Sequence, residues 1–201
     1  MEQQNVSRPI RALDIFCGAG GSSLGARLAG VEVVAAIDMW PLAHDTYKDN
    51  FPDTLFFRRK LEYVTPSEVL RKAGPIDLLL ASPECTNHTC AKGNGNRSEE
   101  SRKTAFQVAR FARLLRPRWI AVENVIQMRS WDKYPQWISK LKLLGYHVRE
   151  QILNAAHFGV PQSRKRLFVT CDLERMPPDV TPAANIRRVP ASEIVDSVGN
   201  Y

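Results

Sequence analysis

Cys85 is a candidate nucleophile, both because it is a cysteine and because of its position in the sequence. It lies in the segment SPECTNHTC, just after an apolar segment that ends at Ala81. Open α/β folds bind their ligands at the carboxyl ends of such strands. The cysteine thiolate forms at moderate cost and is the best soft nucleophile in proteins. The position predicts a nucleophile, and inert packing is the alternative for an isolated cysteine.

The cysteines show no recognisable metal or disulfide framework. Cys85, His88 and Cys90 are close enough in sequence to share a zinc ion, but no fourth ligand stands at a usual spacing. The chain contains 4 cysteines without a Cys-x-x-Cys pair, and a core of this size does not need disulfides. We therefore expect free thiols and no metal.

A carboxylate follows the next predicted strand. The apolar segment WIAV leads directly into Glu123, which is therefore expected at the same sheet edge as Cys85. A partly buried glutamic acid can stay protonated near neutral pH and donate a hydrogen bond to a ring nitrogen. The alternative is a carboxylate that only stabilises a helix N-terminus through its dipole.

Two arginines stand close together late in the chain. Arg164 and Arg166 alternate in the segment QSRKRLF, which predicts that both point to one face of a strand. Two guanidinium groups on one face can bind a base oxygen, a phosphate or a carboxylate. A solvated basic edge strand is the alternative.

A glycine cluster near the start predicts a cofactor loop. Gly18 and Gly20 lie in CGAGGSSLG, between an apolar segment and a helical pattern. Glycines let a ligand approach the backbone, and the helix N-terminus offers amide donors. The dinucleotide pattern G-x-G-x-x-G fails at Ser23, but Asp38 ends the second strand, where a carboxylate accepts ribose hydroxyls. These features favour a nucleoside cofactor over a turn needed only for packing.

The elements that would position these residues alternate along the chain. Helical patterns follow the glycine cluster and cover residues 41–50, 66–72 and 99–116. Strands are predicted at 12–16, 31–37, 76–81, 119–122, 147–153 and 166–171. The alternation implies an α/β fold with a mostly parallel sheet. The last two strands have no clear helix between them, which predicts an antiparallel hairpin at the end of the sheet.

Composition fits one domain of 201 residues with 44% hydrophobic positions. No apolar run reaches the roughly 18–20 residues of a membrane-spanning helix, and the polar start lacks a signal peptide, so we expect a cytoplasmic or nuclear protein. A net charge of +7 favours polyanionic partners such as nucleic acid. We expect a catalytic domain at 1–171 and a proline-rich linker at 172–201.

In chain order, the segments DIFCGAGGSSLG, SPEC, ENV and QSRKR resemble the motifs of the DNA (cytosine-5) methyltransferases over about residues 11–171. The resemblance implies a Rossmann-like class I S-adenosylmethionine-dependent fold and a place in DNA methylation and restriction-modification. The substrate would be a cytosine flipped out of double-stranded DNA, in the nucleoid if the source is bacterial. Cys85 would then add to carbon 6, Glu123 would bind ring nitrogen 3 and the exocyclic amine, and Arg166, supported by Arg164, would contact the cytosine oxygen.

The same resemblance assigns the cofactor residues. It implies that Phe16, Gly18 and Gly20 line S-adenosylmethionine, that Asp38 binds its ribose, and that Met39 lies against its adenine.

The sequence departs from the family pattern at several positions. Glu84 replaces the usual proline, and a carboxylate beside Cys85 opposes thiolate formation unless a cation compensates. Thr86 replaces a glutamine, and Lys60 aligns with the acidic residue expected at the adenine amine. The family's target-recognition region and closing motifs are not visible before Tyr201, so a second polypeptide that supplies them is one arrangement that we consider.

Three functions therefore stay open at this point. The first is the catalytic portion of a DNA cytosine-5 methyltransferase, and the second is a non-catalytic module that binds cofactor or nucleic acid and regulates a partner. The third is an RNA cytosine-5 methyltransferase of the same fold. An oxidoreductase is disfavoured by Ser23 and by the pairing of Cys85 with Glu123.

Overall fold

A single sheet of 7 strands organises the protein, in a computed structural model that describes residues 8–84 and 99–195. The strands are β1 (Arg11–Ile15), β2 (Glu32–Asp38), β3 (Leu55–Arg58), β4 (Leu78–Ala81), β5 (Trp119–Asn124), β6 (His147–Asn154) and β7 (Lys165–Asp172). The helices are α1 (Gly21–Leu28), α2 (Pro41–Asn50), α3 (Pro66–Ala73), α4 (Glu99–Leu115) and α5 (Tyr134–Leu143).

The strand order is β3-β2-β1-β4-β5-β7-β6. Strands β1 to β5 pair in parallel, whereas β7 runs antiparallel to both β5 and β6. The predicted α/β class with an antiparallel last hairpin is confirmed. β1 has β2 as its neighbour on one side and β4 on the other, so the direction in which strands are added to the sheet reverses after β3. Open α/β sheets bind their ligands at such a reversal, outside the carboxyl ends of the strands.

Helices cover both faces of the sheet, because the side chains of its central strands are apolar on both faces. Leu13 and Ile15 of β1 point into the larger core, which α3, α4 and α5 close with Val69, Phe111 and Trp137 among others. Ala12 of β1 points to the opposite face, where α1 contributes Ala26. A neighbouring cluster on α2 contains Tyr47 and Phe51. The sheet is thus doubly wound.

Two elements were not predicted from the sequence. β3 has only 4 residues, too few for its periodicity to stand out. In α5, Tyr134, Trp137, Ile138 and Leu141 are buried at helical spacing, a pattern that was present in the sequence. β5 also extends two residues beyond the predicted 119–122, so Glu123 lies within the strand rather than after it.

Arg110 of α4 braces the fold. Its guanidinium donates to the carbonyl oxygens of Leu61, at 2.7 Å, and Val64, at 3.1 Å. Burial lowers the pKa of this guanidinium. The side chain therefore secures the segment that follows β3 and is not a solvated basic group of the helix.

The segment that follows β7 returns along β6. Arg149 pairs with Asp179, and the Val180 amide donates to Gln151 Oε1 at 2.9 Å. A Cβ on Gly159 would lie 3.5 Å from Ile186 Cγ2, so the segment also reaches the loop between β6 and β7. Among the residues described, no helix is long and apolar enough to cross a membrane.

Candidate active site

The glycine turn after β1 forms one side of the site. Phe16 has a φ of 58° and Gly18 a φ of 52°. A non-glycine residue in the left-handed region is strained, and such strain is concentrated at functional sites. A Cβ on Gly18 would meet nothing within 4 Å, whereas one on Gly20 would lie 2.8 Å from Phe51 Cε2. The turn is therefore open at Gly18, where a ligand can approach. At Gly20 the backbone is packed against the ring of Phe51.

Asp38 at the end of β2 holds this turn. Its Oδ2 accepts the Gly18 amide and its Oδ1 accepts the Trp40 amide, both at 2.9 Å. Within residues 8–84 and 99–195, each carboxylate oxygen accepts one hydrogen bond and keeps a second lone pair, and the residue is only partly buried. Asp38 can therefore bind two further hydroxyl groups, and a nucleoside fits the donors and acceptors present. Met39 follows it and is half exposed.

We expect Asp38→Ala to weaken S-adenosylmethionine binding by about tenfold or more, because a hydrogen bond to a charged group contributes about 1.5–3 kcal/mol. The variant also frees the Gly18 amide. Titration calorimetry measures the effect. Asp49→Ala, which changes an exposed carboxylate of α2, is the matched control. Equal affinity in both variants would exclude Asp38 from the cofactor site.

The loop that leads to Cys85 begins at the end of β4, beside the glycine turn. The Ser82 amide donates to the Ile15 carbonyl oxygen at 3.2 Å, and the Ser82 hydroxyl lies 3.4 Å from that of Ser22. Glu84, the last residue of the described range 8–84, is exposed. The predicted nucleophile Cys85 itself lies outside the described residues.

All three residues of the zinc alternative, Cys85, His88 and Cys90, lie outside the described residues. Within 8–84 and 99–195, no group of three or more His, Cys, Asp or Glu residues could hold a metal ion. Cys17 and Cys171 are free and buried, and burial raises the pKa of both thiols.

Asn124 connects β5 to the loop that carries Cys85, a role that the sequence did not reveal. This residue is 3% exposed, and its Nδ2 donates to the Pro83 carbonyl oxygen at 2.9 Å. Its Oδ1 accepts the Val125 amide at 2.8 Å. The available signal was a polar residue at the end of an apolar strand. Asn124 thus fixes the backbone two residues before Cys85.

Asn124→Ala is expected to lower the free energy of unfolding by about 1–3 kcal/mol, because the buried Pro83 carbonyl loses its donor. Thermal unfolding measures this change. Asn50→Ala is the matched control, since Asn50 donates to a backbone carbonyl at the exposed end of α2. A loss no larger than that of the control would show that the bond to Pro83 does not hold the loop.

Glu123 and Arg166 meet at the carboxyl end of β5. Arg166 Nε lies 3.0 Å from Glu123 Oε1, and both side chains are partly exposed, at 22% and 29%. The antiparallel pairing of β5 with β7 sets this contact, because Glu123 is opposite Phe168 and Arg166 lies two residues before Phe168, on the same face of β7. Arg164 precedes β7 and is exposed, and its carbonyl oxygen accepts the Ala155 amide at 3.0 Å.

Known proteins resemble this chain over most of its length. The family model of the C-5 cytosine-specific DNA methylases matches residues 10–196. Type II methyltransferase M.HindV of Haemophilus influenzae is 34% identical over 160 residues, which cover 78% of this chain and 51% of that protein. The human tRNA (cytosine(38)-C(5))-methyltransferase is 28% identical over 192 residues, which cover 93% of this chain and 49% of that enzyme.

Solved structures agree with these relatives. A variant of Spodoptera frugiperda DNMT2 superposes with a TM-score of 0.70 at 26% identity, covering 90% of this chain and 55% of that one. The chain thus spans about half the length of the relatives that it matches. Together with the fold, the match over nearly the whole chain establishes that this protein belongs to the family of C-5 cytosine-specific DNA methylases, which are S-adenosylmethionine-dependent methyltransferases.

Proposed function

We propose that this chain is the cofactor-binding and nucleophile-bearing part of a DNA cytosine-5 methyltransferase. The observation that carries the proposal is the convergence of three features at one edge of the sheet. The glycine turn ends β1, the loop leading to Cys85 leaves β4 in contact with that turn, and the Glu123–Arg166 pair ends β5. A glycine turn, a carboxylate and the start of the loop that leads to the proposed nucleophile therefore lie at one edge of the sheet.

The proposed cofactor is S-adenosylmethionine, which supplies a methyl group on a positively charged sulfur. In this proposal Phe16, Gly18 and Gly20 line it. The open space over Gly18 supports this assignment. The spare acceptor capacity of Asp38 supports a role at the ribose. Met39, half exposed beside Asp38, would contact the adenine.

The proposed chemistry begins at Cys85. Its thiolate adds to carbon 6 of cytosine, and the electron pair of the 5,6 double bond makes carbon 5 nucleophilic enough to take the methyl group. A base then removes the proton from carbon 5, and the bond between carbon 6 and sulfur breaks to restore the ring. Glu123 would hydrogen-bond ring nitrogen 3 and the exocyclic amine as charge develops there. Arg166, with Arg164 in support, would bind the cytosine oxygen.

Double-stranded DNA is the proposed substrate, and its target cytosine has to leave the stack to reach Cys85. Flipping a base out of the stack takes a few kcal/mol, which contacts to both faces of the duplex must offset. About half of the relative from Haemophilus influenzae lies outside the aligned part. We propose that such a region, in the same or a second polypeptide, completes the DNA-binding surface, and that the enzyme acts in the cytoplasm, at the nucleoid in a bacterium.

RNA is a second candidate substrate, favoured by one finding. The human relative that aligns with 93% of this chain is named a tRNA methyltransferase. The fold and the positive charge are compatible with binding of either DNA or RNA, because both contain phosphates and cytosine.

Transfer of a tritiated methyl group tests the proposal. The chain is assayed alone and together with the region that relatives carry beyond the aligned part, on duplex DNA and on tRNA. We expect incorporation into DNA by the complemented assembly and no site-specific methylation by the 201 residues alone. Incorporation into tRNA only would favour the second candidate. Inactivity of a folded, complemented assembly would favour a non-catalytic module.

A further inference from the structure

A carboxyl group is buried directly below the glycine turn, on the side of the sheet that faces α1 and α2. Asp14 of β1 is 0% exposed. Apolar clusters flank it on both sides, one containing Ala12 and Ala26 and the other containing Ala36 and Phe51. A charged group is costly in such surroundings, so its presence needs an explanation beyond packing.

Asp14 is the end of a chain of hydroxyl groups. Ser23 Oγ donates to Asp14 Oδ2 at 2.7 Å and lies 2.7 Å from the Tyr47 hydroxyl. Ser23 has one hydroxyl hydrogen, which Asp14 takes, so Tyr47 donates to Ser23. Within residues 8–84 and 99–195, the other carboxylate oxygen, Asp14 Oδ1, has no hydrogen-bond partner although it is buried. A buried acceptor in this state costs free energy, and a functional role is one explanation for its presence.

The same tyrosine contacts the glycine turn. A Cβ on Gly20 would lie 3.0 Å from Tyr47 Cδ2, so the Tyr47 ring packs directly against this glycine. Asp14 itself is two residues before Phe16, where the turn begins. The hydrogen-bonded hydroxyl groups and the glycine turn are thus parts of one packed unit. The Tyr47 side chain joins them, because its hydroxyl bonds to Ser23 and its ring contacts Gly20.

Asp14 is the group of this unit that changes its charge near neutral pH. Burial raises its pKa to about 7, the Ser23 hydrogen bond opposes this rise, and the charge of Asp38 on β2 adds to it. Tyr47 from α2 and Cys17 from the turn also face it, and burial raises the pKa of both, so they stay neutral. The other facing side chains, Ser23 from α1 and Leu80 from β4, do not titrate in this range.

We propose that Asp14, held by Ser23 and Tyr47, is a positioning residue whose negative charge makes the cofactor site prefer S-adenosylmethionine over its demethylated product. This inference rests on the proposed cofactor site. The two ligands differ by one methyl group and by the positive charge on sulfur. A carboxylate below the turn stabilises the charged ligand and has little effect on the neutral thioether. Because such coupling is reciprocal, preference and protonation must change together.

Titration calorimetry with both ligands between about pH 6 and pH 8 tests this proposal. Above the pKa of Asp14 the carboxylate is ionised, so the ratio of the product's Kd to that of S-adenosylmethionine should rise with pH. We expect a rise about threefold larger in the wild type than in Asp14→Asn, which corresponds to a difference of about half a pKa unit between the two complexes. Comparison with the variant cancels the titration of the ligands themselves.

Tyr47→Phe provides a second measurement that does not depend on the folding of Asp14→Asn. It keeps the ring against Gly20 but removes the donor to Ser23, so Ser23 becomes a weaker donor to Asp14. The pKa of Asp14 should rise, and the pH at which the ratio changes should move upward. A purely structural role of Tyr47 would weaken both ligands equally and leave this midpoint in place.

The outcomes separate this inference from the proposed function. If the wild type binds neither ligand, the cofactor assignment itself fails. If it binds both, and the ratio follows pH identically in the wild type and in Asp14→Asn, the role of Asp14 is refuted and the cofactor site stands. If Asp14→Asn does not fold, an unmoved midpoint in Tyr47→Phe refutes the role, and an upward shift supports it.

Discussion

Cys85→Ser is expected to form no covalent adduct with DNA that contains 5-fluorocytosine and to slow methyl transfer at least about a thousandfold. A serine hydroxyl is far less acidic than a thiol and cannot supply the soft anion that adds to carbon 6. Fluorine at carbon 5 blocks the final elimination, because no proton can leave, so the wild-type adduct accumulates. The measurement is the fraction of complemented enzyme that becomes linked to a fluorinated duplex under denaturing conditions.

Cys90→Ser is the matched control, since Cys90 lies in the same sequence segment and has the same side chain. This variant should form the adduct at the wild-type rate. Peptide mass spectrometry identifies the modified residue independently. Attachment at Cys90, or an adduct formed by Cys85→Ser, would overturn the assignment of the nucleophile.

The elements around the site could be predicted from the sequence because their signals are local. β1 combines an apolar run with a glycine turn directly after it, so strand, turn and helix were predicted together. The antiparallel hairpin of β6 and β7 needed only the lack of a predicted helix between the last two strands, whereas the position of β7 between β5 and β6 was not predicted. The bounds of β5 were less secure: Glu123 and Asn124 are polar, and hydrophobicity alone ended the strand before them.

The contacts that hold the site could not be predicted from local pattern. Asp14 and Tyr47 are separated by Ser23 and by the whole of β2 in the sequence, and only the packing of α1 and α2 on one face of the sheet brings them together. Asn124 reaches Pro83 across 41 residues of chain. Alternation placed Arg164 and Arg166 on one face, but pairing with β5 decides which of them meets Glu123.

Glu123→Gln is expected to slow methyl transfer about a hundredfold and to weaken DNA binding much less. The glutamine amide is of nearly the same shape but can neither give a proton to ring nitrogen 3 nor take one back. General acid–base assistance of this kind contributes about 10²–10⁴-fold. The bond to the ring strengthens as charge develops during attack at carbon 6, so its loss affects the transition state more than the bound substrate. Single-turnover methyl transfer and DNA binding, measured in parallel on the complemented enzyme, give the two effects.

Glu174→Gln is the matched control, because Glu174 also pairs with an arginine, Arg118, at the opposite end of the sheet. It should leave both measurements unchanged. Glu123→Gln also weakens the ion pair with Arg166, so Arg166→Lys is compared with it. Lysine keeps the positive charge beside Glu123 but loses the planar guanidinium. If Glu123 served only to hold Arg166, Arg166→Lys would reproduce the full loss of rate in Glu123→Gln. A smaller loss in Arg166→Lys, with DNA binding retained in both variants, would assign the proton transfer to Glu123 itself.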